Sequence, residues 1–123
     1  MLAGVVAAAV PAHGLAVGGL AAFSKLERGR WLIRDAEKGD ERALCLGDPE
    51  AFVQFAHRGA RCSHDVIANG AGAATVQYSC PGRGYGHTSI RVETPKAMLI
   101  DTQGLVDGRP FAHRLEAKKI GSC

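Results

Sequence analysis

The chain has 123 residues, of which 46% are hydrophobic and 22% charged, and its formal net charge is +3. This composition is typical of one small globular domain and excludes a wholly disordered chain. The 15 basic residues are scattered among 12 acidic ones, so the concentrated basic surface that nucleic-acid binding requires is missing, and no nucleic-acid partner is expected.

The beginning of the chain has the pattern of an export signal. No charged residue precedes Lys25, residues 2–10 form an apolar run, and Pro11 interrupts it before a series of small residues. A membrane anchor needs about 20 continuous apolar residues, which this segment lacks. We therefore predict a signal peptide over residues 1–16, a periplasmic or secreted location with no membrane span after cleavage, and a single β-rich domain over residues 17–123.

Two short helices are predicted in the first half of the domain. The segment GGLAAFSKLER, residues 18–28, carries Leu20, Phe23 and Leu26 at spacings of three, which is one face of a helix. The segment DPEAFVQFAHRG, residues 48–59, opens with an aspartate that can cap a helix and a proline suited to the first helical position. It predicts a helix of about ten residues. Between the two helices, RWLIRD and RALCLG read as strands joined by the polar turn AEKGDE.

The second half of the chain predicts antiparallel strands. CSHDVIA and TVQYSC flank the glycine-rich loop NGAGA, and HTSIRVET alternates polar and apolar residues. MLIDTQGL and PFAHRLEAKKI follow, joined by an Asp107-Gly108 turn. We expect an α+β fold: a curved antiparallel sheet of five to seven strands with one or two short helices at an edge, stapled by disulfides. The expected core residues are Trp31, Phe52, Phe55, Tyr78, Ile90, Val92, Ile100 and Phe111.

The stretch YSCPGRGYGHTSIRV, residues 78–92, superficially resembles a glycine-rich nucleotide loop. Such loops lead from a strand into a helix whose N-terminus meets the phosphate. Here the glycines lie between two predicted strands, so we interpret them as turn residues and expect no nucleotide cofactor. Arg83 and Tyr85, at the tip of this hairpin, are the candidate contact residues for a partner.

A metal site is not favoured. Cys62 and His64 are two residues apart and would share one face of a strand. Zinc sites usually contain a Cys-x-x-Cys pair, however, and the chain has none. No metal ligand and no cofactor is therefore assigned.

Catalysis is not favoured either, because no nucleophile, base and acid occur at a spacing that would join them. His113 lies on the apolar face of its predicted strand, where Asp101 or Thr102 on the preceding strand could be its hydrogen-bond partner. The enzymatic alternative is a small hydrolase-like or metal-dependent enzyme that uses His64, His87 or His113. It requires at least two of these histidines to converge on a carboxylate or thiol.

The four cysteines indicate a disulfide framework, because an even count is typical of short exported chains. They are Cys45, Cys62, Cys80 and Cys123. Four cysteines allow three connectivities, and their spacing alone does not choose among them.

These motifs resemble an exported bacterial domain of unknown function, the family numbered thirty-six seventeen. The similarity lies in an early Gly-x-Trp strand at residues 29–31, the lone Cys45, Cys62 after a short helix, Tyr-x-Cys at 78–80 and a terminal Gly-x-Cys at 121–123. The resemblance covers residues 29–123 and implies a periplasmic location and a β-rich fold, but no activity.

From the residues and the resemblance together we predict the pairs Cys45–Cys62 and Cys80–Cys123. The rival pair Cys62–Cys80 stays open, since these two would lie opposite each other in a hairpin. The expected function is an exported binding or scaffold module of the cell envelope, whose partner is an envelope protein or a small apolar ligand.

Overall fold

The chain folds into one antiparallel sheet of seven strands in the computed structural model, which describes residues 19–123. The predicted signal peptide, residues 1–16, lies outside the described residues. The strands are β1 (Gly29–Asp35), β2 (Glu41–Leu46), β3 (Ser63–Asn69), β4 (Ala73–Cys80), β5 (Gly84–Thr94), β6 (Ala97–Val106) and β7 (Arg109–Gly121). Three short 3₁₀ helices cover Ala21–Phe23, Pro49–Phe52 and Phe55–His57.

The strands lie in the spatial order β2-β1-β7-β6-β5-β4-β3, and every neighbouring pair is antiparallel. Strands β3 to β7 form a meander, and the β1–β2 hairpin is added beside β7. The sheet edges are therefore β2 and β3, although these two strands follow each other in the chain. The segment that connects them, residues 47–62, has to cross the sheet.

This crossing segment and residues 19–28 cover one face of the sheet, which we call the inner face. Phe52 and Val53 are buried there, and the ring of Phe52 meets that of Trp31 edge to face at 6.3 Å between centroids. The other face, the outer face, carries mostly polar side chains. Buried and exposed side chains alternate along the strands, which gives the sheet one covered and one solvated face.

The predicted ten-residue helix forms only in pieces, and the described residues contain 3₁₀ helices but no α-helix. Its beginning is as expected, because Asp48 accepts a hydrogen bond from the Glu50 N–H and a proline follows. Its middle is broken at Gln54, whose backbone leaves the helical region, and the Val53 carbonyl accepts a hydrogen bond from the hydroxyl of Thr88 at 2.6 Å. The N–H of His57 bonds instead to Gln54, three residues back.

Within residues 20–28, the predicted helix is likewise reduced to a short 3₁₀ helix at Ala21–Phe23. Leu20 and Phe23 still bury their side chains as the periodicity indicates. The sheet of five to seven strands is confirmed, while the α part of the α+β prediction is not. Helices this short are stabilised by tertiary packing, which local sequence does not specify.

The core combines expected and unexpected residues. Five of the eight predicted core residues are buried: Trp31, Phe52, Tyr78, Ile90 and Ile100. Phe55 and Val92 are partly buried against the core, and Phe111 is half-buried. The prediction missed Val53, Val76, Met98 and Leu115, which are also buried.

Two disulfides form, and the predicted connectivity was wrong. Cys45 pairs with Cys123, and Cys62 pairs with Cys80. The predicted pair Cys45–Cys62 is impossible here because the two residues lie at opposite edges of the sheet.

The strand register accounts for both observed bonds. Arg30 of β1 lies between Cys45 on one side and Gly121 on the other, so the bond to Cys123 clamps β1 from both flanks. Cys62 directly precedes β3 and therefore lies opposite the end of β4, with 4.1 Å between the Cα atoms of the second pair. The rival pair that the hairpin suggested is the one that forms. Cys80, predicted to hold the C-terminus, holds the crossing segment instead.

No helix within residues 19–123 has both the length and the apolar character needed to span a membrane.

Candidate functional site

The stretch YSCPGRGYGHTSIRV forms the β4–β5 hairpin, so its glycines do lie between two strands. At the turn, the Arg83 N–H donates to the Cys80 carbonyl, and the Arg83 side chain forms an ion pair with Asp107 at 2.9 Å. Both of these side chains are more than half exposed, where such pairs contribute at most about 1 kcal/mol. The ring of Tyr85 is 51% exposed on the outer face.

Two glycines of this stretch serve packing. A Cβ atom added at Gly86 would overlap with the ring of Tyr78 on the neighbouring strand, and one at Gly84 would overlap with the Leu105 carbonyl. The Tyr78 ring therefore lies over the bare backbone of β5. An aromatic ring above a strand glycine is a known means of stabilising the glycine's weak pairing.

Beside this ring lies a histidine that the sequence did not suggest. His57, 1% exposed, places its Nδ1 at 2.8 Å from the Tyr78 hydroxyl. Its Nε2 lies 3.2 Å and 3.1 Å from the carbonyls of Arg83 and Leu105. Carbonyls only accept, so Nε2 carries a proton, and in the neutral ring Nδ1 accepts from the tyrosine hydroxyl. His57 thus connects the crossing segment to the β4–β5 turn, through Arg83, and to the end of β6, through Leu105.

The same buried region contains two threonines. Thr88 donates to the Val53 carbonyl, and the hydroxyls of Thr88 and Thr102 are 2.8 Å apart. Burial raises the pKa of Tyr78 to about 12, against a smaller opposing effect of the Thr102 hydroxyl. Every buried side-chain nitrogen and oxygen atom of residues 19–123 has a hydrogen-bond partner. We interpret this network as structural, because none of its polar groups is left available to a ligand.

A second histidine faces a carboxylate at the edge of the inner face. His113 Nδ1 lies 3.5 Å from Asp35 Oδ2. The predicted partners were wrong: Asp101 pairs with Arg114, and the Thr102 hydroxyl bonds to Thr88. Strand alternation explains the case of Asp101, which points to the outer face whereas His113 points inward. Thr102 lies opposite His113 on the inner face, but its hydroxyl is paired with that of Thr88.

Asp35 is the last residue of β1 and organises the turn that follows. Its Oδ1 accepts from the backbone N–H groups of Glu37 and Lys38, both at 2.9 Å. The bond from Lys38 lowers the pKa of the Asp35 carboxyl group, those from Glu37 and His113 lower it further, and burial opposes the shift. An aspartate before a turn is a recognisable sequence signal for this capping role, but nothing in the sequence links it to His113.

Strand β7 is longer than β1, its neighbour on one side. The register of β1 on β7 ends at the pair Asp35–Leu115, and one further bond joins the Ala36 N–H to the Arg114 carbonyl. Residues 109–113 pair with β6 on one side. On the other side they have no neighbouring strand among the described residues. We call this segment the open edge of β7.

A hollow lies on each face of the sheet beside the open edge. The outer hollow, of about 340 Å³, is lined by Glu37, His87, Ser89, Asp101, Gln103 and Arg114 together with Ala112 and His113. The inner hollow, of about 390 Å³, has an apolar floor that includes Ile33, Phe55 and Leu115. Its rim is charged, with Asp35, Lys38, Asp40, Glu41 and Arg42. His113 borders both hollows.

The three histidines of the enzymatic alternative have different partners, although His87 and His113 both border the outer hollow. His64 Nε2 contacts the side-chain oxygen of Gln54 at 2.9 Å, and His113 contacts Asp35. His87 is exposed on the outer face. Within residues 19–123, no three His, Cys, Asp or Glu side chains are grouped as a metal site would require. Among the hydrogen bonds and ion pairs of the described residues, no two of these histidines share a carboxylate or thiol.

Comparison with protein-family models, curated proteins and solved structures finds no match to this chain. The family resemblance read from its motifs stays a prediction.

Proposed function

We propose that this protein is an exported, disulfide-stabilised binding or scaffold module of the cell envelope, and that its partner is a protein. The observation that carries the proposal is that apolar side chains pack against the inner face, while open hollows lie on both faces of the sheet beside the open edge of β7. Trp31, Phe52 and their neighbours pack against the inner face, and within residues 19–123 the hollows beside β7 are open rather than enclosed. Sites for small apolar ligands are enclosed and mostly apolar, whereas both hollows beside β7 have polar or charged rims.

Export is supported by the two disulfides. Both bonds join segments distant in the chain, with sequence separations of 78 and 18 residues. Structural disulfides persist in oxidising compartments and are rare in the cytosol. This agrees with the signal peptide that the sequence predicts over residues 1–16.

Intact-mass analysis of protein produced with its natural N-terminus tests the export part. We expect a processed chain that begins near His13 or Val17 and is four hydrogens lighter than the reduced form. An unprocessed chain with four free thiols would exclude an exported module.

The binding part is tested on protein purified from the envelope fraction of its own cells. Cross-linking in intact cells should identify one protein reproducibly, and the purified pair should bind saturably with a defined stoichiometry in calorimetry. A lipid or other apolar molecule retained in native mass spectrometry, with no saturable protein partner, would overturn the proposal in favour of a ligand carrier.

A further inference from the structure

We propose that the open edge of β7 binds an extended peptide segment of the partner protein as an additional strand, seated between the outer and inner hollows. This inference rests on the proposed function and specifies the site and the mode of recognition. Peptides that add to a sheet edge gain affinity from backbone hydrogen bonds and specificity from pockets for alternate side chains.

The hydrogen bond between Ala36 and Arg114 shows which backbone groups of the open edge are available. It places the Arg114 carbonyl on the β1 side of β7. Backbone groups of alternate residues in a strand point the same way, so the N–H and C=O of Ala112 and the C=O of Pro110 also point toward the open side. Proline in a sheet normally turns its nitrogen away from the ladder, which agrees with this assignment.

The two hollows match the side chains of an added strand. Successive side chains of a strand point to opposite faces of a sheet. A peptide paired with Ala112 therefore directs one side chain toward the outer hollow and the next toward the inner hollow. The five residues of the open edge span about 16 Å, enough for a peptide of about five residues.

Charge and polarity of the inner hollow favour a basic side chain there. Its floor is apolar, and its rim carries three carboxylates against two basic side chains. Asp35 is engaged with His113, but the carboxylate of Asp40 takes part in no ion pair among the described residues. A lysine or arginine can lay its aliphatic stem on the floor and bring its charge to Asp40.

The other possible occupants and edges fit less well. Antiparallel self-pairing of two β7 edges about Ala112 would set Pro110 opposite Arg114. Pro110 has no N–H to donate, and the Arg114 carbonyl is already bonded to Ala36, so this pair lacks one of its two backbone hydrogen bonds. The edge strand β3 exposes Val66 and Ile67, but its register is interrupted by a bulge between Val66 and Ala68. Bulges are a common means of blocking edge pairing.

Selection from a displayed library of random nine-residue linear peptides tests the proposal. The full disulfide-bonded protein is the bait, and Ala112→Pro, which removes the outward N–H while sparing the ladder with β6, is the counter-selection. We expect the enriched peptides to alternate polar and apolar residues, with a basic residue among the alternate positions whose side chains point to the inner hollow. Their binding should protect the Ala112 amide from hydrogen exchange.

The matched controls separate backbone pairing from side-chain contact. Ala112→Thr keeps the N–H and should bind the selected peptide within about twofold of wild type, whereas Ala112→Pro should bind at least about tenfold more weakly, the effect of one lost backbone hydrogen bond. The same peptide N-methylated at alternate residues should lose binding to the wild-type protein by a similar factor. This second measurement decides the question if Ala112→Pro does not fold. Asp40→Asn should reduce the preference for the basic residue.

Several results would overturn the inference. One is equal peptide binding by Ala112→Pro and wild type, and another is that no peptide is enriched over the counter-selection. The inference also fails if the peptide protects only β3 from hydrogen exchange, or if the protein forms a concentration-dependent dimer that protects Ala112 without peptide. In each of these cases the broader binding function still depends on the partner experiment above, so the two proposals fail separately.

Discussion

The position of Gly86 beneath the ring of Tyr78 leads to a quantitative prediction for Gly86→Ala. The added methyl group would overlap with the ring, so either the ring or strand β5 has to move. Overpacking of this kind costs about 1–3 kcal/mol. Displacement of the tyrosine hydroxyl also leaves Nδ1 of His57 without its donor, which adds about 1–3 kcal/mol. We expect the free energy of unfolding to fall by about 2–6 kcal/mol in total.

Equilibrium unfolding in urea with both disulfides intact measures this loss, and the fluorescence of the single, fully buried Trp31 reports it. Gly121→Ala is the matched control, since a Cβ there meets no atom within 4 Å, and it should change stability by less than about 0.5 kcal/mol. In a Tyr78→Val background, Gly86→Ala should be nearly neutral, because the ring that it displaces is gone.

The reasoning is refuted if Gly86→Ala costs less than about 1 kcal/mol, the lower limit for overpacking. It is also refuted if the cost stays the same in the Tyr78→Val background, because the lost stability would then not arise from the contact between methyl group and ring.

Two further predictions concern the disulfides and the first turn. Replacing both Cys45 and Cys123 by alanine should lower the free energy of unfolding by about 4–5 kcal/mol, and replacing Cys62 and Cys80 should lower it by about 3 kcal/mol. The difference arises because the disulfide that closes the longer loop restricts the unfolded chain more. Urea unfolding of the two double variants measures both losses, and the opposite order would contradict this explanation. Because the folded state lowers the pKa of Asp35, its stabilising effect is present above the unfolded pKa of about 3.9 and is lost as the pH falls through the folded value. The stability difference between wild type and Asp35→Asn should therefore shrink below about pH 4 in unfolding curves recorded from pH 7 to pH 2, and a constant difference would contradict it.

The β2–β3 connection shows where local sequence stops being informative. The Asp-Pro pair at residues 48–49 correctly predicts the start of a helix, since capping involves only neighbouring residues. The helix ends early at Gln54, and the Val53 carbonyl accepts from the hydroxyl of Thr88, 35 residues away in the chain. Only the folded sheet brings these two groups together.

The candidate site likewise combines features that local sequence predicts with contacts between distant segments that it does not. The sequence predicts the β4–β5 hairpin and the exposed position of its turn, because alternation and glycine placement are local properties. It did not identify His57 or pair Asp35 with His113, because each contact joins side chains from different strands or segments. The open edge of β7 was equally hidden, since it results from the unequal lengths of two strands that are neighbours only in space.

By itself, the sequence determined that this chain would form an antiparallel sheet with one covered and one solvated face, and that its four cysteines would be bridged. Periodicity and turn residues indicate the sheet and its two faces within a few residues of each position, and the even cysteine count indicates the bridging. The tertiary structure alone decided that β2 and β3 are the two edges of the sheet, and from this follow the disulfide connectivity and the open edge of β7. The physical reason is that strand order depends on which distant segments bury apolar area together, which no local pattern encodes.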